Sequence, residues 1–198
     1  MDLMTTPDPR APLVFDTRQL RRQPGSMVEV VRDVPAPDGL GTEIIAIPVD
    51  APLRLDLRLE SVVEGVLVSG SVQAVATGAC VRCLEHVEQS LEVQIQELFA
   101  YADRAAHHHE VGAPDDEDQH VVVGDLLDLE PVIRDAVVPS LPFQPVCRED
   151  CPGLCAECGI PLADDPEHRH ETIDPRWAGL QSLAMPDQGS TRTEEKRN

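Results

Sequence analysis

The stretch "CREDCPGLCAECG", residues 147–159, carries Cys147, Cys151, Cys155 and Cys158, four of the six cysteines of a 198-residue chain. Thiols so closely spaced form disulfides, a redox centre or a metal clamp. The C-x2-C step from Cys155 to Cys158 lets two thiolates meet one tetrahedral ion, and Gly159 directly after it lets the backbone turn beneath the metal. A closed zinc site needs four donors. Cys147 and Cys151 supply the other two, or else His168 and His170 of "EHRHE" do; the spacing favours the cysteines. The segment is poor in apolar residues, so the free energy of binding Zn2+ would be its folding free energy.

A second pair, Cys80 and Cys83 of "ACVRCLE", lies between two strand-like runs, at the tip of an expected hairpin. It could form a further half-site, completed by ligands from the C-terminal segment. The rival reading is a thiol oxidoreductase using Cys80 and Cys83, because C-x2-C spacing can lower one thiol's pKa. Thioredoxin-like motifs sit where a strand meets a helix, whereas both flanks here read as strands. Arg82, between the thiols, favours a thiolate under either reading. No G-x-S-x-G, glycine-rich phosphate loop or H-E-x-x-H helix occurs, so the chain reads as a non-enzyme.

The elements that must position these thiols begin with alternation. "LRLDLRLE" places Leu53, Leu55, Leu57 and Leu59 on one face, and "LEVQIQELF" does the same for Leu91, Val93, Ile95 and, after a break at Glu97, Phe99. Between them "VLVSGSVQAVATGA" keeps Val66, Val68, Val72 and Ala74 in step. "MVEVVRDV" and "TEIIAIPV" add two strands, separated by the turn-prone "PAPDGLG". The first hundred residues therefore predict an antiparallel sheet or small barrel in an α+β chain with a few helices. "DLLDLEPVIRDAVVPSLP" predicts a helix near residues 128–138. Asp128 is its cap, Pro131 is tolerated in its first turn, and Pro139 and Pro142 end it. "DPRWAGLQSL" predicts a short helix capped by Asp174, with Trp177, Leu180 and Leu183 inward. The polar run 107–120, with three adjacent histidines, reads as a solvated loop, since neighbouring side chains do not converge on one ion. The domain reading is a loose N-terminus over 1–11, a β-rich core over 12–145, a cysteine-rich segment with a short helix over 146–184, and a tail over 185–198.

Charge restricts the partners. Lys and Arg number 16 against 36 Asp and Glu, a net charge of −20, and Lys196 is the only lysine. Direct RNA binding needs clustered positive charge and stacking platforms, and aromatic residues make up only 3% of the chain. The same acidity would steer a basic protein partner inward. No signal peptide and no apolar run of membrane-spanning length is seen, so a cytoplasmic protein without membrane contact is expected. In that reducing compartment lasting disulfides are rare, which leaves the metal and redox readings.

The ordered motifs C-x-R-C-L-E, D-x-x-x-L-E-P, L-P-x-x-P-x-C, G-L-C-x-x-C-G and D-P-R, from about residue 12 to 184, resemble the YceD family of bacterial large ribosomal RNA subunit accumulation proteins. Many such sequences carry a C-x-C pair where this chain has His168 and His170. Members without the C-terminal cysteines imply that any metal is structural. The resemblance implies a role in producing, processing or stabilising 23S rRNA. In bacteria the family's gene commonly lies beside that of a small basic large-subunit ribosomal protein, so the implied partner is such a protein or a pre-ribosomal particle.

Overall fold

The leucine alternation of residues 53–59 is realised as a strand whose inward side chains are almost wholly buried, Leu53 and Leu55 at 0% exposure. In this computed structural model, which describes residues 6–103, 120–170 and Arg176, that strand is β4 (Pro52–Ser61). It follows β1 (Val14–Asp16), a 3-10 turn at Arg18–Leu20, β2 (Met27–Pro35) and β3 (Ile45–Ala46), and precedes β5 (Gly65–Ala79), β6 (His86–Tyr101), β7 (Val121–Val122), β8 (Leu126–Asp128) and helix α1 (Glu130–Ser140). The chain divides into two compact units, Met1–Gly153 and Leu154–Asn198. The loop segment 107–119, the residues expected in a helix from Asp174 to Leu183 other than Arg176, and the tail 185–198 lie outside the described residues.

The larger sheet runs β2-β4-β5-β6-β7, antiparallel except for the β6–β7 pair. It is open, because no pairing joins β2 to β6 or β7 among the described residues; the small-barrel alternative is not the form adopted. The two strands read from "MVEVVRDV" and "TEIIAIPV" do not pair with each other. β2 pairs with β4, from Met27↔Glu60 to Pro35↔Pro52, and the chain between them is closed at its base by Ala36 N–H on the Ala51 carbonyl (2.8 Å) and Asp50 N–H on the Ala36 carbonyl (3.0 Å). That excursion carries β3 to β5, beyond the end of β4, where Ile45 faces Gly78. Adding a β-carbon at Gly78 would place it 2.4 Å from the Ile44 carbonyl oxygen.

β5 and β6 form one long hairpin, in register from Gly65↔Ala100 to Ala79↔His86. Its far end overshoots β4 and carries the turn that holds Cys80 and Cys83. The core lies under Leu53, Leu55, Leu57, Val66, Val68 and Phe99 and is closed by α1, which buries Val132, Ile133 and Val137. Asp128 Oδ1 accepts from Glu130 N–H at 2.9 Å, so it satisfies one of the free N–H groups at the helix start, although Leu129 occupies the cap position. The helix continues through Pro139 to Ser140, because in the last turn a proline removes only one backbone donor. β1 and β8 make a separate two-stranded sheet, with Phe15 opposite Leu127.

Candidate metal centres

At the hairpin tip the backbone folds into a tight turn beneath two sulfurs. Cys80 N–H donates to the Glu85 carbonyl at 2.8 Å, and Leu84 N–H donates back to the Cys80 carbonyl at 2.8 Å. The reversal puts Leu84 at φ 64°, the left-handed region that a side chain with a β-carbon enters at a cost. The N–H groups of Arg82 and Cys83 then point at the Cys80 sulfur.

The other two thiols arrive from the chain after α1. Val81 N–H donates to the Pro145 carbonyl at 2.9 Å, and the Arg82 guanidinium donates to the carbonyls of Glu149 at 3.2 Å and Cys151 at 3.0 Å. These bonds lay Cys147 and Cys151 over the turn. The Sγ atoms of Cys83 and Cys147 are 3.6 Å apart and those of Cys80 and Cys151 3.9 Å, and all four sulfurs lie within 4.8 Å of one another. Sulfurs at the corners of a tetrahedron around zinc, with bonds of ~2.3 Å, are about 3.8 Å apart. The group therefore fits such an ion. Cys80 and Cys151 are 0% and 5% exposed.

The electrostatics fit as well. Burial pushes the Cys80 thiol up, but the N–H groups of Cys147, Cys83 and Arg82 outweigh it and bring it down to about 6. Cys147 is pushed up to about 12 by the neighbouring thiols of Cys83 and Cys151 and by burial. Cys83 also rises: the Glu85 N–H pulls it down, but burial and hydrogen bonds to the Cys80 and Cys151 sulfurs prevail. Cys80 therefore releases its proton readily while Cys83 and Cys147 resist losing theirs, unless a cation enters to neutralise the charge.

A second group forms in the other unit from Cys155, Cys158, His168 and His170. Cys155 N–H donates to the Ile160 carbonyl at 2.8 Å, Gly159 N–H donates to the Cys155 carbonyl at 2.9 Å, and Gly159 stands at φ 74°. The N–H groups of Cys158 and Glu157 bring the Cys155 thiol down to about 6 against the opposing effect of burial. The Nε2 atoms of His168 and His170 lie 3.1 and 3.2 Å from the Cys158 sulfur and 2.8 Å from each other.

All eight residues read from the sequence as donors thus fall into such groups, but not as the single set Cys147, Cys151, Cys155 and Cys158. The thirteen-residue stretch is divided: its first two cysteines join Cys80 and Cys83, and its last two join the histidines. The physical reason is the backbone pairing of Val81 with Pro145, which commits Cys147 and Cys151 to the hairpin tip. Parity was the available signal, since six cysteines and two histidines make two complete sets of four. Of the polar loop 107–120, the described residue His120 packs its ring against Phe99, with centroids 5.3 Å apart. Among the described residues no helix is long and apolar enough to cross a membrane.

The family model described as "Large ribosomal RNA subunit accumulation protein YceD" matches residues 68–184, more than half of the chain. Uncharacterized proteins of Mycobacterium tuberculosis and Mycobacterium bovis are each 48% identical over 184 residues, covering 93% of this chain and 87% of theirs. An uncharacterized protein of Bacillus subtilis, YlbN, is 26% identical over 145 residues, 72% of this chain and 78% of its own. No solved structure matches.

Proposed function

The chain belongs to the YceD family of large ribosomal RNA subunit accumulation proteins, and on that premise we propose that it is a non-enzymatic cytoplasmic factor in large-subunit biogenesis. It supports the synthesis, processing or stability of 23S rRNA by engaging a basic large-subunit ribosomal protein or a pre-ribosomal particle. The observation that carries the choice of partner is the net charge of −20 with a single lysine. Such a surface repels phosphate and attracts a basic protein at long range. Direct contact with rRNA would need a cationic stripe, for which the sequence has little material.

In this reading Cys80, Cys83, Cys147 and Cys151 hold one structural Zn2+, which ties the hairpin tip to the chain after α1 and supplies no chemistry beyond that cross-link. The set keeps no open position for a substrate, as four protein donors fill a tetrahedral ion. Burial supports this reading over a Cys80/Cys83 oxidoreductase. A redox nucleophile must be reached by its substrate, and the thiol with the lowered pKa, Cys80, is 0% exposed. Arg82, bridging the carbonyls of Glu149 and Cys151, supports the same cross-link between the hairpin tip and the chain after α1.

The test is retention of purified large-subunit ribosomal proteins on the immobilised full chain at low and moderate salt. Basic proteins should be retained and acidic ones should pass through, with retention weakening as salt rises. Equal retention of both classes, or tight salt-sensitive binding of rRNA fragments, would overturn the proposal.

A further inference from the structure

We infer that Leu154–His170 is a metal-folded module in which Cys155, Cys158, His168 and His170 bind a second zinc ion, one that exchanges more readily than the ion at the hairpin tip. The inference is independent of the ribosomal reading.

The first support is what the module lacks. No residue from Leu154 to His170 is buried. The segment is nonetheless ordered, with a bridge between Leu154 and Pro161, the turn from Cys155 to Ile160, and turns closed by Asp164 N–H on the Pro161 carbonyl (3.1 Å) and His168 N–H on the Asp165 carbonyl (3.1 Å). Short turns exposed to water do not repay the entropy of fixing their backbone. Something other than an apolar core must hold them, and a bound ion converts its binding free energy into order.

A second support is the orientation of the imidazoles. Both present Nε2 to the Cys158 sulfur, while His168 Nδ1 faces Asp165 Oδ2 at 3.8 Å and His170 Nδ1 faces Glu157 Oε2 at 3.6 Å. A metal-binding histidine characteristically turns its remote ring nitrogen toward a carboxylate, which favours the tautomer that leaves the other nitrogen free to ligate. Two histidines two residues apart arranged alike in this way are hard to explain as surface residues. The inner donors are drawn slightly tighter than zinc would set them, since nitrogens at ~2.0 to 2.1 Å bonds would stand roughly 3.3 Å apart.

The third support is the shared turn. Cys155, Gly159 and Ile160 reproduce the hydrogen bonds of Cys80, Leu84 and Glu85, at 2.9 against 2.8 Å for the returning N–H and 2.8 Å in both for the other. The two sites differ in their remaining donors and in burial. One has four thiolates, two of them inaccessible, and is set in a folded sheet; the other has two thiolates and two imidazoles within a segment that has no core. The second ion should leave first.

Elemental analysis of the full chain loaded with zinc should give two ions for the wild type, one for Cys158→Ser and one for Cys83→Ser. Reconstitution with Co2+ identifies which remains, because thiolate charge-transfer absorption scales with the number of sulfurs. Cys83→Ser should keep only the weaker, two-sulfur spectrum, and Cys158→Ser the four-sulfur spectrum. On titrating the wild type with chelator, the two-sulfur component should disappear first. One ion per wild-type chain, two ions on Cys158→Ser, or loss of the four-sulfur component first would each overturn the inference. Circular dichroism of Cys158→Ser, with its strand signal retained, separates loss of a site from loss of the fold.

Discussion

Leu84 and Gly159 occupy the same place in two copies of one turn: each donates its N–H to the carbonyl of the cysteine four residues earlier, and each stands in the left-handed region, at φ 64° and 74°. Only one of them is a glycine. No atom lies within 4 Å of where a β-carbon on Gly159 would sit, so Gly159→Ala brings no clash, and its backbone strain outweighs the gain from a stiffer unfolded chain. That strain is about 1 kcal/mol, and it should weaken zinc at the second site by roughly fivefold in competition titrations while leaving the first site unchanged. Leu84→Gly relieves a similar strain but loosens the unfolded chain by a comparable amount, so its melting temperature should stay close to that of the wild type.

A different glycine is governed by sterics. Gly70 of β5 pairs with Leu57 and Ile95, and a β-carbon there would fall 2.1 Å from the Asp56 carbonyl oxygen and 2.9 Å from Leu57 Cα. Both are backbone atoms of β4 and cannot turn aside. Gly70→Ala must push β4 and β5 apart at the centre of the sheet, at a cost on the order of 3 kcal/mol, which corresponds to a fall of roughly 6 to 12 °C in Tm. Gly124→Ala is the control. Gly124 also has positive φ, at 58°, but open space around it, so thermal denaturation should record only the smaller strain penalty.

The sequence made each strand face legible and left the partners of those faces unspecified. Period two places Leu53, Leu55, Leu57 and Leu59 on one side of a strand whatever lies beside it. Whether β4 pairs with β2 or β3 depends on Ala36 and Ala51 closing the excursion between them, a backbone contact that no side-chain pattern records. β1 and β8 are three residues each, and they pair across more than a hundred residues of chain, so neither has a local signature. The donors followed the same rule. The C-x2-C pairs Cys80/Cys83 and Cys155/Cys158 and the neighbouring His168 and His170 could be picked out as candidates, because their spacing is local. Their division into two sets could not, because Cys147 reaches Cys83 only after the helix and hairpin have packed.

Arg82 joins those two regions, and its contribution can be measured. Its guanidinium reaches the carbonyls of Glu149 and Cys151, two bonds worth about 0.5 to 1.5 kcal/mol each. Arg82→Ala should leave zinc stoichiometry intact and weaken the first site by roughly 5-fold to 150-fold, the sum of the two bonds. Both bonds leave a single guanidinium nitrogen, Nη1, and an ammonium carries enough donors for two carbonyls, so Arg82→Lys should recover part of this. Competition with a chromophoric chelator gives both values. An Arg82→Ala chain that binds zinc as tightly as the wild type would show that the carbonyl bridge does not shape the site.

Removing zinc should separate what the sheet holds from what the ion holds. Each fully buried leucine of β4 contributes on the order of 1.5 to 3 kcal/mol by leaving water, and that contribution does not depend on the cysteines. The chain from Leu141 to Gly153 has no strand or helix of its own. Apart from its buried residues Leu141, Pro145, Cys151 and Gly153, it is attached through Val81, Arg82 and the four sulfurs. After chelation under reducing conditions, amide exchange should accelerate at residues 80–85 and 143–153 and stay slow in β4 and the near half of β5. Exchange rising together across the whole sheet would mean that the ion supports the core itself. Unchanged exchange at residues 143–153 would mean that the protein contacts suffice without it.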